Sequence, residues 1–586
     1  MLAERLRTAT GFAIPIKVIQ GARDARGAIV LTSAGADAAL GNEGYELNSG
    51  PRSVVIRAPG AGGLLYGTQT LRQLLPPQIE SRSRAAGVVW SVPGVRIWDR
   101  PRFAYRGFML DSSRHLQSEA FIRRTLDLMA YHKLNVFHWH LTDDPGWRIE
   151  IKKYPRLTSV GAWRDENGHR YGGFFSQAQV RGLVAYARAR NITIVPEIEM
   201  PGHSAAAIAA YPELACDEQN GSGNVLCPGK PTTFTFLEDV LSEVIALFPS
   251  RSIHIGGDEV DKTSWKKCAR CQALMKREGL KNEDELQSWF TLRIAAFLRS
   301  KGRRLQGWNE IMHGGKLPQD AIVQQWNQPS AAVEAARAGN DVVVSQTSWT
   351  YFDYSYDTTP LRKVYDGEPV PAALTPAEAR HILGAQAQLW TEVRVDDASA
   401  DSFIWPRLIA LSEVCWSPRE ARNWDSFESR LNTAHIARLA LRGLGEAATS
   451  PAQIRLLLSD PNNERNLGVR VAEWKPEQMS VVTKAVDWDI SVFVKAPGTY
   501  RIKMKYDAGA HGLDTSALSL LEDGAEVARD EHPSFAGGAS SGNTYELKVA
   551  HIRVGAKYVL RAQLRSDGGT DSRGWVWLQA PDTPQQ

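Results

Sequence analysis

The stretch Ser252–Val260, "SIHIGGDEV", runs a short alternating apolar segment into two glycines and then sets an aspartate beside a glutamate. Alternation of this kind reads as a strand. Gly256 and Gly257 remove side chains where a ligand would approach the backbone, so Asp258 and Glu259 stand at the end of that strand, facing a site. Seven more segments share this form: "YRGFMLD" (105–111), "NVFHWHL" (135–141), "ITIVPEI" (192–198), "RRLQGWNE" (303–310), "AIVQQWN" (321–327), "DVVVSQTSW" (341–349) and "GAQAQLWTE" (384–392). Each is apolar in its body and meets charged, amide or aromatic residues at its C-terminal end. Most are separated by amphipathic helical stretches such as "SEAFIRRTLDLMAYHKL" (118–134). Eight such units across residues 99–447 predict a (β/α)8 TIM barrel, whose site lies at the C-terminal ends of the strands.

The remaining chain reads as two accessory domains. Residues 1–98 mix short alternating segments with one helix, "GGLLYGTQTLRQLL", whose Leu64, Leu65, Thr68, Leu71 and Leu75 share a face; this predicts a small α/β domain. Residues 453–586 alternate with period two, as in "TYRIKMKY" (499–506), and predict a β-sandwich-like domain. The 69 basic and 65 acidic residues leave a net charge of +4 with no long basic run, so no nucleic-acid partner is expected. No apolar run is long enough for a membrane span. The opening "MLAERLRTATGF" reads as a charged amphipathic helix without the apolar centre of an export signal. A periplasmic or secreted protein is expected, its export signal absent from this sequence.

Five cysteines are present. Cys216 and Cys227 bracket a Gly/Asn-rich loop, which suits a disulfide in an oxidising compartment. Cys268 and Cys271, in "CARC", have a zinc-like spacing, but no second CxxC or HxxxH follows them. A local disulfide or two free thiols is the plainer reading, and neither metal nor cofactor is expected.

The adjacent carboxyls carry the chemistry. A carboxylate neighbour raises a glutamate's proton affinity, which suits Glu259 to general acid catalysis. An ordinary retaining glycosidase needs its two carboxyls about 5–5.5 Å apart across the scissile bond. Neighbouring strand residues point in opposite directions, so this pair is poorly placed as acid and nucleophile. If the substrate's 2-acetamido oxygen attacks the anomeric carbon, Glu259 is free to protonate the leaving oxygen while Asp258 holds the acetamide.

The strand ends "RGFMLDSSRH", "HWHLTDDPGWRIEIKKYP", "PEIEMPGH", "HIGGDE", "GWNE" and "AQLWTE" resemble, in order, those of glycoside hydrolase family 20, the β-N-acetylhexosaminidases. "LLYGTQTLRQLL" resembles the helix of that family's accessory domain. The resemblance implies an exo-acting retaining enzyme on oligosaccharides or glycoconjugates with terminal β-linked GlcNAc or GalNAc, working through an oxazolinium intermediate. It implies Asp258 as the acetamide-orienting residue and Glu259 as the acid/base, with Asp143 and His203 in a supporting relay. Arg114 would grip the 3- and 4-hydroxyls, and Glu392 the 4- and 6-hydroxyls. Trp308, Trp326 and Trp390 would wall the acetamide pocket, Tyr351 would donate to the acetamide carbonyl, and Asp353 would take a sugar hydroxyl. Asn309 stands where the family usually shows Asp.

Two rivals remain at this level. His138 and His140 form an HxH pair that would suit a metal-dependent barrel hydrolase, but the later strands offer Trp, Glu and Asn instead of further ligands. A non-catalytic glycan-binding protein on the same fold is the other.

Overall fold

A computed structural model describes residues 2–581 except 19–25, 167, 218–222, 316, 357, 393–395, 445–468, 495, 509–511, 537–542, 554, 567–568, 570 and 580. The expected boundary between 447 and 453 lies outside the described residues. A closed parallel barrel is formed by β1 (Tyr105–Asp111), β2 (Val136–His140), β3 (Thr193–Glu197), β4 (Ser252–His254), β5 (Arg304–Trp308), β6 (Ile322–Gln325), β7 (Asp341–Val344) and β8 (Ile382–Leu389). Every strand pairs with its sequence neighbour, and β8 closes on β1 through Leu389 opposite Leu110. These are the eight predicted segments. The register sets Asp111 beside His140, His140 beside Glu197 and Glu197 beside His254, so four chemically active side chains form one level at the rim.

The barrel's interior is more polar than the branched apolar layers usual for this architecture. Val136, Val195, Ile322 and Val343 cluster with the ring of Tyr105 inside. In the same interior, the Tyr105 hydroxyl donates to Gln386 Oε1 at 2.7 Å, Gln386 Nε2 meets His138 Nδ1 at 3.0 Å, and Gln306 Nε2 donates to Gln324 Oε1 at 2.8 Å. Buried amides are tolerated because they bond to one another. His138 is thus tied into the barrel interior.

The small N-terminal domain and the barrel form one compact unit. Its four-stranded sheet pairs Ala28–Thr32 in parallel with Ser53–Arg57, which runs antiparallel to Tyr45–Gly50; Val95–Asp99 completes the edge. Helix Ala61–Leu74 covers it through part of the expected stripe, with Thr68 and Leu71 buried and Leu64 packed at the core's edge, and through an adjoining face that bears glycines. The buried positions are Gly63, Tyr66, Gly67, Thr68, Gln69 and Leu71, whereas Leu64 and Leu65 are only half-buried. Close approach decides this: a Cβ on Gly67 would lie 2.4 Å from Ile56 Cγ2, so the helix seats its glycine ridge against the sheet.

The C-terminal residues form a second unit of two antiparallel sheets. Tyr500, Ile502 and Met504 of strand Gly498–Ala508 and Leu560, Ala562 and Leu564 of strand Tyr558–Ser566 point into its core, as period-two alternation requires.

One buried cation joins the small domain to the barrel. Arg106, fully buried on β1, donates to Glu43 Oε2 at 2.9 Å and Oε1 at 3.0 Å, and to the carbonyls of Phe103 and Lys133. Breaking a fully buried pair costs about 3–5 kcal/mol. Glu43 keeps 20% exposure of its side chain, so Arg106→Met is expected to cost about 2 kcal/mol, visible as an earlier chemical-denaturation midpoint; an unchanged midpoint would show that the joint does not depend on this pair.

Candidate active site

Strand β4 ends at His254, so Asp258 and Glu259 lie beyond it, in a turn. Their divergence comes from this turn and not from strand alternation, which corrects the sequence expectation. Gly256, Gly257 and Glu259 all have left-handed backbone, with φ of +67°, +89° and +48°. Gly256 is doubly constrained: a Cβ there would lie 1.6 Å from Glu199 Oε2. The Gly257 carbonyl is held by Gln287 Nε2 at 2.7 Å. Held in a conformation glycine favours, Glu259 carries its side chain outward while Asp258 turns in.

The two carboxyls consequently occupy different media. The Asp258 side chain is 12% exposed and that of Glu259 60%. Burial pushes Asp258 up to about 7, with Glu310 and Glu197 adding to the rise and His203 opposing it. Glu259 instead lies below the usual range, because it pairs with His203 Nε2 at 3.5 Å. In the free protein, then, the carboxyl with raised proton affinity is Asp258 and not Glu259. Exposure beside a cation outweighs the neighbouring carboxyl's influence on Glu259. Asp258 Oδ1 is buried with no hydrogen-bond donor among the described residues, an acceptor aimed into the site.

A chain of alternating charge backs the pair. His203 Nδ1 bonds Asp143 Oδ1 at 3.2 Å; burial disfavours its cation, yet the Asp143 and Glu259 partners hold it up at about 11. Asp143 Oδ2 receives His140 Nε2 at 2.9 Å and Arg114 Nη2 at 2.9 Å, and these cations keep Asp143 ionised against its own burial. His140 in turn bonds Glu197 through Nδ1 and, despite burial, is held at about 10, largely by Glu197. Glu197 also pairs with His254 Nδ1 at 2.7 Å and accepts from Trp308 Nε1 at 2.9 Å. Burial would raise Glu197, but the three surrounding histidines hold it well below the usual carboxylate range. Two residues on, buried Glu199 is pushed the other way, well above the usual carboxylate range, by burial and by Asp258 and Glu197.

The remaining predicted residues converge on the same rim. Arg114 lies 3.4 Å from Asp111 and 3.7 Å from Glu392, its guanidinium 4.9 Å from the centre of the Trp390 ring. Trp390 sits 5.8 Å from Trp308 and 6.4 Å from Tyr351, and Tyr351 stacks on Trp326 at 6.2 Å and 19°. Trp308 is 1% exposed with its N–H committed to Glu197, so it forms the floor beneath the other rings. Asp353 is pushed up to about 7, mainly by burial, and its Oδ1 also lacks a partner among the described residues.

Several residues of the site escaped sequence reasoning or, like Asn309 and His140, were given no role of this kind in it. Glu310 accepts from Trp326 Nε1 at 2.9 Å and so sets the ring's angle. Asn309 is buried, taking the Trp326 backbone N–H at 3.0 Å and donating to Asn327 Oδ1 at 3.0 Å. Asp111 accepts the N–H groups of Ser113, Arg114 and Thr391, joining the loops that carry Arg114 and Glu392. Glu197, Glu199 and His140 were all inside quoted motifs. The signal available was a glutamate pair at the end of an otherwise apolar strand, which a solvated strand end does not need.

Comparison with known proteins identifies the family. Residues 103–419 match the family model described as glycosyl hydrolase family 20, catalytic domain, and residues 1–100 match its domain 2. The chain is 42% identical over 476 residues to a β-hexosaminidase of Porphyromonas gingivalis, covering 77% of this chain and 60% of that one. It is 39% identical over 400 residues to a β-hexosaminidase of Vibrio furnissii, covering 63% and 64% respectively. It therefore spans less than two thirds of either relative's length. The solved structure of a GH20 exo-β-N-acetylglucosaminidase from Vibrio harveyi, in complex with N-acetylglucosamine, superposes with a TM-score of 0.66 at 37% identity, covering 71% of this chain and 68% of that one. The chain belongs to glycosyl hydrolase family 20.

Proposed function

We propose that the protein is an exo-acting, retaining β-N-acetylhexosaminidase that removes terminal β-linked GlcNAc or GalNAc with the help of the substrate's own acetamide. The observation that carries this is the split pair: a buried Asp258 whose Oδ1 awaits a donor, next to an exposed Glu259 paired with a cationic His203. The substrate's acetamide N–H supplies that donor, and the carboxylate then favours the cation that develops as the acetamide oxygen attacks the anomeric carbon. Glu259 gives its proton to the departing oxygen and afterwards takes one from the water that opens the cyclic intermediate.

Substrate binding has to reverse the proton order of the free protein. The N–H bond to Asp258 stabilises its charged form, and the aglycone covering Glu259 removes water from a carboxyl now exposed; the first falls in pKa and the second rises. His203 supports both states, since its Nε2 faces both carboxyls while Asp143 backs it on Nδ1. The walls Trp326, Trp390 and Tyr351 accept the apolar faces of sugar and acetamide methyl.

The direct test is parallel hydrolysis of aryl β-GlcNAc, β-GalNAc and β-glucoside. Turnover of at least one acetamido sugar and almost none of the glucoside is expected; brisk glucoside turnover would reject the acetamide as nucleophile. Glu259→Gln is expected to cost about 10²–10⁴-fold on substrates with poor leaving groups and much less on activated aryl ones. Asp258→Asn should instead cost about 10²–10³-fold whatever the leaving group, and a Glu259 variant equally impaired on both would remove it from the acid role. Because Asp258 acts as its carboxylate, kcat/KM should fall as pH drops through a value near 7. The acid limb of kcat should lie at lower pH, since bound substrate lowers the same pKa; coincident limbs would contradict the exchange.

A further inference from the structure

Four of the five cysteines lie together outside the active site. All are unbridged, and the Sγ atoms of Cys216, Cys227, Cys268 and Cys271 fall within 4.8 Å of one another. The expected Cys216–Cys227 disulfide is not formed. Cys227 lies 3.5 Å from Cys271 and 3.7 Å from Cys268, and Cys216 lies 3.7 Å from Cys271. A disulfide needs about 2.05 Å. Four thiolates on a tetrahedral Zn²⁺ at about 2.3 Å have sulfurs about 3.8 Å apart, which is the spacing seen here.

The supporting structure is that of two ligand knuckles pressed together. Cys216 and Cys227 flank a loop closed by a bridge between Ala215 and Leu226, and the Cys227 N–H donates to the Leu214 carbonyl at 2.9 Å. Cys268 caps helix Ala269–Glu278, and Cys271 sits in its first turn, where the helix N-terminus favours negative charge. A Cβ on Gly229 would lie 2.6 Å from the Cys271 nitrogen, so the first knuckle abuts the second backbone to backbone. Around them pack Val225, Trp265, Leu274 and Met275, apolar neighbours that bury Cys227 and Cys271 and leave Cys216 and Cys268 half-buried.

We infer that Cys216, Cys227, Cys268 and Cys271 form a structural Zn²⁺ site that ties the loop after β3 to the loop after β4. The four thiols would lose their protons as the ion binds, with no redox change. The tie reaches the rim on both sides. Between its two cysteines, the first loop takes the Ser204 N–H onto the Asn224 carbonyl at 2.9 Å and donates the Leu226 N–H to the Pro201 carbonyl at 2.8 Å, so it holds the turn that bears His203. Trp265, six residues after Glu259, donates its indole N–H to the Leu226 carbonyl at 3.0 Å. Only half of the zinc spacing was visible in sequence, in "CARC", because the second pair of ligands precedes it and is separated by ten residues rather than two.

The test is metal analysis of the protein purified without added metal or reductant, with intact mass measured on the same sample. One zinc per chain is expected, with the mass of a fully reduced chain and four thiols that react only after denaturation in chelator. A mass about 4 Da lower and no zinc would mean two disulfides and would overturn the proposal, as would four freely reactive thiols without zinc, or iron in place of zinc. Cys268→Ser combined with Cys271→Ser should reduce zinc content about tenfold or more, whereas Cys415→Ser, remote from the cluster, should retain it. Where the double variant fails to fold, the wild-type zinc content and mass decide alone.

Discussion

The carboxylate of Glu197 is the fixed charge around which the rim is arranged. Taking an ionised carboxylate out of water costs several kcal/mol, and only close partners offset it. Three histidines and the Trp308 indole supply them, each from a neighbouring strand or the next one round the barrel. Once His140 carries a proton for Glu197, its other nitrogen requires an acceptor, and Asp143 provides it. Asp143 then holds both Arg114 and His203. The groups expected to touch a sugar are therefore the outermost members of a network whose innermost member touches none.

The same logic explains why neighbouring glutamates differ. Glu197 and Glu199 are two residues apart and both buried, but one faces cations and the other faces carboxyls. Their opposite shifts in proton affinity are properties of the assembled barrel. Gly256 belongs to this arrangement too: the absent side chain leaves the space that Glu199 fills, and the same glycine begins the turn that sends Asp258 inward.

This accounts for what was legible in the sequence. The strand ends were readable because a barrel gathers distant segments at one rim, so polar residues recurring at the ends of apolar runs mark a site before any contact is known. The turn at Asp258 was readable as two glycines, but not as the cause of the pair's divergence, since β4 stops earlier than the alternation in "SIHI" implies. The interior amides Gln306, Gln324 and Gln386 resemble solvent-facing positions until the partners across the barrel are placed. In the small domain the apolar stripe named leucines, whereas Gly67 against Ile56 set the helix's rotation. The cysteines misled for a related reason: proximity along the chain favoured a loop disulfide, while the fold brought two further sulfurs to the same place from the start of helix Ala269–Glu278.

The unequal exposure of Asp258 and Glu259 has a consequence for selectivity on the proposed chemistry. Apart from Glu392, whose side chain is 56% exposed, the groups that would recognise the terminal sugar are enclosed by rings and buried charge, so a missing or added group there meets either an unpaired buried atom or a wall. The acid stands in the open, with more than half of its side chain in solvent. What is attached to the sugar is met by a surface rather than by a pocket. On that chemistry such a site would discriminate sharply on one side of the scissile bond and be permissive on the other.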